Sequence, residues 1–455
     1  MDLTVHGGDR RAAWLPPLGA LLVFGLLALR HIDVLVHAQL VWEDGLIFLT
    51  DGISKPWYST WFTPYIGYYI VMPKMVASLF TPLTMLHAPL VFNAFSLALM
   101  AYSFSLPLWP SFAHLAPLRY RALWVAACAL MPWHTETLGN LTCTHWFVYY
   151  ALTLLSLADL TSSRRWTQIL LPPLVLLGIF TTPNVVVIVP VLLVRLWLDR
   201  RTRGYQFYLH LLTLAGIGVM VLLVRRYAEP QPAGEPADLL GIAAFLVKGL
   251  GYKVVIQNLA GGLASNLLQH TVLYVGGASL FMAALAGLAW TARGSDGGTL
   301  TGPIAAAGAY YILTSMLIAA VTRPQYVTHF VWLRNYWGAD RYFVVPSFYF
   351  FLLLVLALKE VETMWSGTRL RVVVIAGYCA VLAMNFRYAP FPDLGWNQQL
   401  HTYYQRLLDY PPGTPASTFA IVTFPGEPWT LKAPLYSPAD SERPAIQRLV
   451  DRLSD

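Results

Sequence analysis

The sequence predicts an all-α polytopic membrane protein with about eleven transmembrane helices. Hydrophobic residues make up 57% of the 455 positions and charged residues 12%, roughly half the charged share usual in a soluble domain. Mean hydropathy is +0.54. The apolar residues also fall in runs close to the ~20 that a bilayer crossing needs. A soluble chain of this length divides into domains with charged surfaces, and this one lacks the charge to cover them. The same figures exclude a disordered chain and a coiled coil.

The runs occupy residues 13–29, 89–108, 122–133, 146–160, 169–181, 185–198, 207–224, 271–291, 303–321, 342–358 and 372–386. The first follows Arg10-Arg11 and ends before Arg30 and Asp33. Those two charges separate it from a cleavable signal peptide, despite Val36-His37-Ala38 downstream. Residues 65–86 are apolar enough to be a twelfth run, but hold Pro73-Lys74 at their middle. A lysine at mid-bilayer costs roughly 2.5–3.5 kcal/mol. If 65–86 lies on the surface, then Arg10/Arg11, Arg119/Arg121, Arg164/Arg165, Arg200/Arg201/Arg203, Arg293 and Lys359/Arg369 all fall on one side. By the positive-inside rule that side is the cytoplasm. The expectation is a bacterial cytoplasmic membrane, with the N-terminus inside and the C-terminus outside.

The outer side then holds the long segments: a first loop at about 31–87, then 134–145, 225–270, 322–341 and a tail. Connections that long tend to be functional. Within them, 238–270 mixes Lys248, Lys253, Gln257 and Asn258 with glycines and apolar residues. It reads as an amphipathic or re-entrant element on the outer face. The division is a multipass domain, 1–386, and an extracytoplasmic tail, 387–455. The tail shows a helical stretch at 396–408, a Pro411-Pro412-Gly413 turn, strand-like runs at 418–424 and 429–432, and an amphipathic run at 445–453.

A net charge of +7 and pI near 9.2 do not point to nucleic acid, because the cations sit mostly in pairs between apolar runs, not in one stripe. Cys128, Cys143 and Cys379 give neither a zinc spacing nor an even disulfide framework.

Trp42-Glu43-Asp44-Gly45 follows the first run directly. Neighbours on a helix point about 100° apart, so this pair does not face one atom as a two-carboxylate glycosidase dyad does. One carboxylate as general base with the other orienting it is chemically sound; a solvated helix cap accounts for the pair as well. Tyr65 and Tyr68 are either a membrane belt or faces on which sugars stack. Lys74 suits a lipid phosphate or snorkels to the interface. In His134-Thr135-Glu136…Asn140…His145-Trp146, Glu136 and His145 can hydrogen-bond acceptor hydroxyls or simply face water. No H-E-x-x-H spacing occurs there. Asp340-Arg341 is either an internal ion pair or a phosphate contact.

These motifs together resemble the GT-C superfamily of polyprenyl-phosphate-sugar-dependent glycosyltransferases, in its bacterial multipass form. The shared patterns are Glu43-Asp44-Gly45, Pro64-Tyr65 with Gly67-Tyr68, the Glu136…Gly139-Asn140…His145-Trp146 loop, Asp340-Arg341-Tyr342-Phe343, and a Pro/Gly-rich turn before Trp429. The resemblance implies transfer of a monosaccharide from a polyprenyl-phosphate donor to a glycan, lipid or protein acceptor on the outer face. It implies Asp44 as base with Glu43 as helper, Lys74, Arg334 and Arg341 on the phosphate, and Tyr65, Tyr68, Glu136 and His145 around the sugar or acceptor. It leaves a divalent cation open, because the oligosaccharyl branch uses one. The rivals are a lipid-linked sugar transporter and a non-catalytic protein of the same fold.

Overall fold

The computed structural model describes residues 10–65, 67–132, 137–161, 164–227, 238–261, 271–294, 301–324, 327, 340–364, 368–386, 393–423 and 430–454. They are helical apart from short connections, an isolated bridge and one antiparallel pair of strands, Ser417–Val422 with Thr430–Leu435. Five helices are long and apolar enough to cross a membrane: Pro82–Leu108, Tyr205–Tyr227, Leu239–Ala260, Gly302–Thr322 and Arg341–Glu362. A bent pair, Arg165–Ile179 and Pro183–Asp199, makes a sixth if it is one span. Shorter apolar helices cover Trp14–Arg30, Leu273–Leu288 and Ile375–Met384.

The chain is thus a helical membrane protein, and five or six of its described helices meet the length test for a crossing. Two of the expected runs depart from a single straight crossing. Leu118–Leu130 has 13 residues, about 20 Å of rise against a hydrocarbon core of about 30 Å. The runs at 169–181 and 185–198 form one unit bent by 114°. Thr182 precedes Pro183 and is extended, at φ −133° and ψ 126°, as a residue before proline prefers.

Within 238–270, Leu239–Ala260 forms a 22-residue helix that is long and apolar enough to cross a membrane. Its glycines serve helix packing: a Cβ on Gly251 would overlap the Tyr274 carbonyl of the Thr271–Gly294 helix, and one on Gly277 would meet the Gly251 backbone. Small residues let helices approach this closely in membranes. By contrast, 65–86 forms no crossing helix. It breaks into a tight Tyr65–Tyr68 turn, the Val71–Ala77 helix and a 3₁₀ turn at Pro82–His87.

Buried polar groups fix helix ends. Arg30 donates to the carbonyls of Ala129 (2.6 Å), Met131 (3.0 Å) and Asn385 (3.3 Å), tying the end of the first helix to two later ones. Arg121 does the same elsewhere, donating to the carbonyls of Ala116, Pro107 and Trp109.

The first loop and the tail share a core. Leu40, Phe48, Ile70, Phe80 and Phe92 pack in one cluster with Trp396, Leu400, Tyr404, Ile421 and Leu431. Tyr404 Oη donates to the Pro82 carbonyl at 2.8 Å, and Lys432 N to Thr50 Oγ1 at 3.2 Å. Both segments therefore stand at the same end of the bundle.

Candidate active site

The acidic pair is placed by backbone geometry that its residue types do not announce. Trp42 lies at φ +45°, in the left-handed region where a non-glycine residue is strained by about 1–3 kcal/mol. That turn starts a helix at once, and Asp44–Leu49 winds as a π turn, a rare form that is frequent at functional sites. Glu43 caps the helix and Asp44 opens it, so both carboxylates meet the positive end of the helix dipole. Gly45 is required by close packing, since a Cβ there would lie 2.5 Å from Thr423 Cγ2 of the tail.

The two carboxylates have different surroundings. Asp44 is fully buried. Its Oδ2 accepts from Leu141 N at 2.8 Å, and its Oδ1 accepts from Thr142 N at 2.8 Å and from Thr142 Oγ1 at 2.7 Å. Burial lifts its pKa to about 7 against the pull of those three donors, with a smaller push from Glu43. Glu43 is half-buried, and its Oε2 has no hydrogen-bond partner among the described residues. The Tyr65 phenol faces Glu43, and burial together with that carboxylate holds Tyr65 well above its usual value.

Tyr65 and Tyr68 face each other across a tight turn. Tyr68 N donates to the Tyr65 carbonyl at 2.9 Å, and Gly67 takes φ +84° to close it. The two rings are 5.5 Å apart edge to face, and Tyr68 lies 6.3 Å from the His145 ring. His145 and Trp146 stack at 4.9 Å, and Trp146 meets Tyr342 at 5.5 Å. The Arg341 guanidinium lies 5.8 Å from the Trp42 ring and 5.4 Å from that of Tyr342. Its charge is felt by Tyr65, Tyr68 and His145. The result is a carboxylate and a guanidinium among five aromatic side chains and an imidazole.

The structure therefore brings together Glu43, Asp44, Tyr65, Tyr68, His145 and Arg341. Lys74 stands apart. It is 3% exposed, donates to the Thr63 carbonyl at 2.8 Å, and has Asp51 and Lys55 as its charged neighbours. Burial pushes its pKa down to about 8. Arg334 and Glu136 lie outside the described residues, as does the side chain of Asp340. One cation was not anticipated: Arg323, just past the Thr301–Thr322 helix, whose charge reaches both Tyr68 and His145. Its position at the outer end of a predicted span was the available signal. Asn140, in the sequence Asn140-Leu141-Thr142, is fully buried, and its Oδ1 accepts from Cys143 N at 3.2 Å. That bond holds the backbone just ahead of the Thr144–Leu157 helix. Among the described residues no three His, Cys, Asp or Glu side chains cluster as a metal site would need.

The class this fold defines is a helical integral membrane protein. No family description matches the chain, and no curated protein matches it. Among solved structures it is similar to the oligosaccharyltransferase of Archaeoglobus fulgidus, crystallised with zinc and sulfate, at 13% identity and a TM-score of 0.37. The match covers 86% of this chain and 55% of that one, so the chain spans about half the length of that protein. A superposition this loose transfers neither fold nor activity.

Proposed function

We propose that the protein is an integral membrane glycosyltransferase that moves a monosaccharide from a polyprenyl-phosphate donor to a hydroxyl of an envelope glycan, lipid or protein. One observation carries the reading. Glu43 keeps an unpartnered carboxylate oxygen in an aromatic-walled group that also holds Arg341. Sugar C–H faces pack on such rings, and the motifs shared with GT-C enzymes fall on these same residues.

The roles follow from the surroundings. Glu43 is the base and Asp44 the organiser, the reverse of the order the motif alone suggests, because all three donors to Asp44 come from the 141–142 turn. The acceptor O–H gives its proton to the Glu43 carboxylate while its oxygen bonds to the anomeric carbon. The anomeric C–O bond to the phosphate breaks, and its electron pair leaves on the phosphate oxygen. Arg341 and Arg323 offset the charge left there. Lys74 is reserved for the loop and not for the phosphate.

The test is release of polyprenyl phosphate from a labelled polyprenyl-phosphate sugar by protein in lipid nanodiscs, with an extract of envelope glycans as acceptor. Glu43→Gln is expected to lower transfer by at least about 100-fold, as loss of a general base does. Full activity in Glu43→Gln overturns the assignment.

A transporter of lipid-linked sugar is the second reading. Lys253, 5% exposed within the Leu239–Ala260 helix, and the 114° break in Arg165–Asp199 favour it, since charged and broken helices mark substrate paths. Translocation of the intact lipid-linked sugar across the bilayer of sealed proteoliposomes, with no sugar transferred, would establish that reading instead.

A further inference from the structure

Two features of the 140–145 turn go unused in the transfer chemistry above: the full commitment of Asp44 to this turn, and the orientation of His145. They are connected. Asp44 accepts from the Leu141 and Thr142 amides and from the Thr142 hydroxyl, which anchors residue 142 on its amide side. The next peptide is held by Cys143 N, which donates to Asn140 Oδ1 at 3.2 Å, and the Thr142 carbonyl it carries faces the imidazole of His145, with Nδ1 2.6 Å away. A carbonyl oxygen only accepts, so Nδ1 carries the proton. In a neutral ring that leaves Nε2 as a bare lone pair. His145 hydrogen-bonds to the described residues through Nδ1 alone.

The ring is held neutral. It is 6% exposed, and burial pushes its pKa down to about 4; the Thr142 carbonyl opposes this, while the charges of Arg341 and Arg323 add to it. Its neighbours are the rings of Tyr68 and Trp146, the same walls that enclose Glu43 and Arg341.

We propose that Asp44, acting through Thr142, locks His145 as its Nδ1–H tautomer, so that Nε2 accepts a hydrogen bond from a second hydroxyl of the incoming acceptor. This rests on the glycosyltransferase reading for the identity of the ligand, but the tautomer lock does not. The site then offers two acceptor groups, the Glu43 carboxylate for the reacting hydroxyl and Nε2 for its neighbour. The substrate class this selects is a polyol, which means a carbohydrate or a glycerol-type headgroup. A lone serine hydroxyl, with a single donor, meets only one of the two. Asp44 and Thr142 are positioning residues; His145 touches substrate.

The experiment has two arms. In the first, protein carrying ¹⁵N-histidine is placed in lipid nanodiscs and the His145 nitrogens are assigned by their absence in His145→Gln. At pH 7.5 the expected signature is a protonated Nδ1 and an unprotonated Nε2. Asp44→Asn is expected to lower that tautomer ratio by at least about 10-fold, because an amide cannot accept all three donors. A protonated Nε2, or an imidazolium, in the wild type overturns the proposal. In the second arm, transfer is measured as above with the glycan extract. His145→Gln, whose amide oxygen reaches the Nε2 position, is expected to keep transfer within about 10-fold. His145→Phe, of similar shape without an acceptor, is expected to lose at least 100-fold. Equal activity in the two overturns the role of Nε2. A locked tautomer in wild-type protein that transfers no sugar overturns the glycosyltransferase reading and leaves the lock standing.

Discussion

The Lys74 ammonium donates to the Thr63 carbonyl at 2.8 Å, and this contact pins the segment that leads into the Tyr65–Tyr68 turn. Lys74 sits on the Val71–Ala77 helix, whose first amide donates to the Phe180 carbonyl at 3.1 Å, at the break of the bent helix pair. The lysine therefore joins the first loop to the membrane bundle. Lys74→Met keeps the apolar stem and removes the donor. It is expected to cost about 1–3 kcal/mol, the penalty for leaving a buried carbonyl without its partner, and to leave affinity for the lipid-phosphate donor within twofold. Thermal unfolding and donor KM measured on one preparation check both. A raised KM with an unchanged midpoint would return Lys74 to the phosphate.

The Asp44 carboxyl makes stability depend on pH in an unusual direction. It ionises near 3.8 in the unfolded chain and near 7 in the folded one, because burial disfavours the charge. Between those values the unfolded state binds fewer protons, so stability falls as pH rises from about 4 to about 7 and levels off above. The full effect is on the order of 4 kcal/mol. Unfolding midpoints in detergent are expected to decline across that window for wild type and to stay flat for Asp44→Asn. Parallel curves would show that another group sets the slope.

Arg30 is the chief clasp at the end of the first helix. Its three carbonyl acceptors belong to segments about 100 and 355 positions away. Arg30→Met fills similar volume and strands those acceptors. The expected loss is about 2–4 kcal/mol, within the range for buried unsatisfied groups, with transfer per folded molecule unchanged. Expression and midpoint report the first, and specific activity the second. A fall in specific activity at full stability would give Arg30 a role in the site.

Orientation is open to direct measurement. Single cysteines replacing Lys359 and Ser454, in a background without the three native ones, are expected to react with a membrane-impermeant maleimide on opposite sides. Ser454 labels from outside intact cells, and Lys359 only after lysis. A Ser454 cysteine protected in intact cells would overturn the outward placement of the tail.

The candidate site residues are legible in the residue order, and the contacts that hold them are not. Glu43 and Asp44 stand out because charge is scarce. How differently the two are held is decided by the left-handed turn at Trp42 and by two amides nearly a hundred positions away, neither of which leaves a mark on residue type. Tyr65 and Tyr68 announce a turn through Gly67, but not that it closes against Glu43. Arg341 reads equally well as half of an ion pair. Arg323 passes as an ordinary helix-end cation until the chain folds. The fold class follows from composition alone. The crossing count does not, because Leu239–Ala260 hides a close-packed helix behind glycines and lysines that suggest an interface. Two other runs look separate until Pro183 bends them into one unit.

The contact between Gly45 and Thr423 has a bearing on biogenesis. The acidic turn leaves the ribosome early, whereas the strand that buttresses it is translated hundreds of residues later; Thr50 and Lys432, which join the same two segments, are 382 positions apart. Such a long-range closure forms late in folding. The nascent chain thus carries the acidic turn through insertion before the tail packs against it, and the packed form of that turn waits until the last segments reach the first.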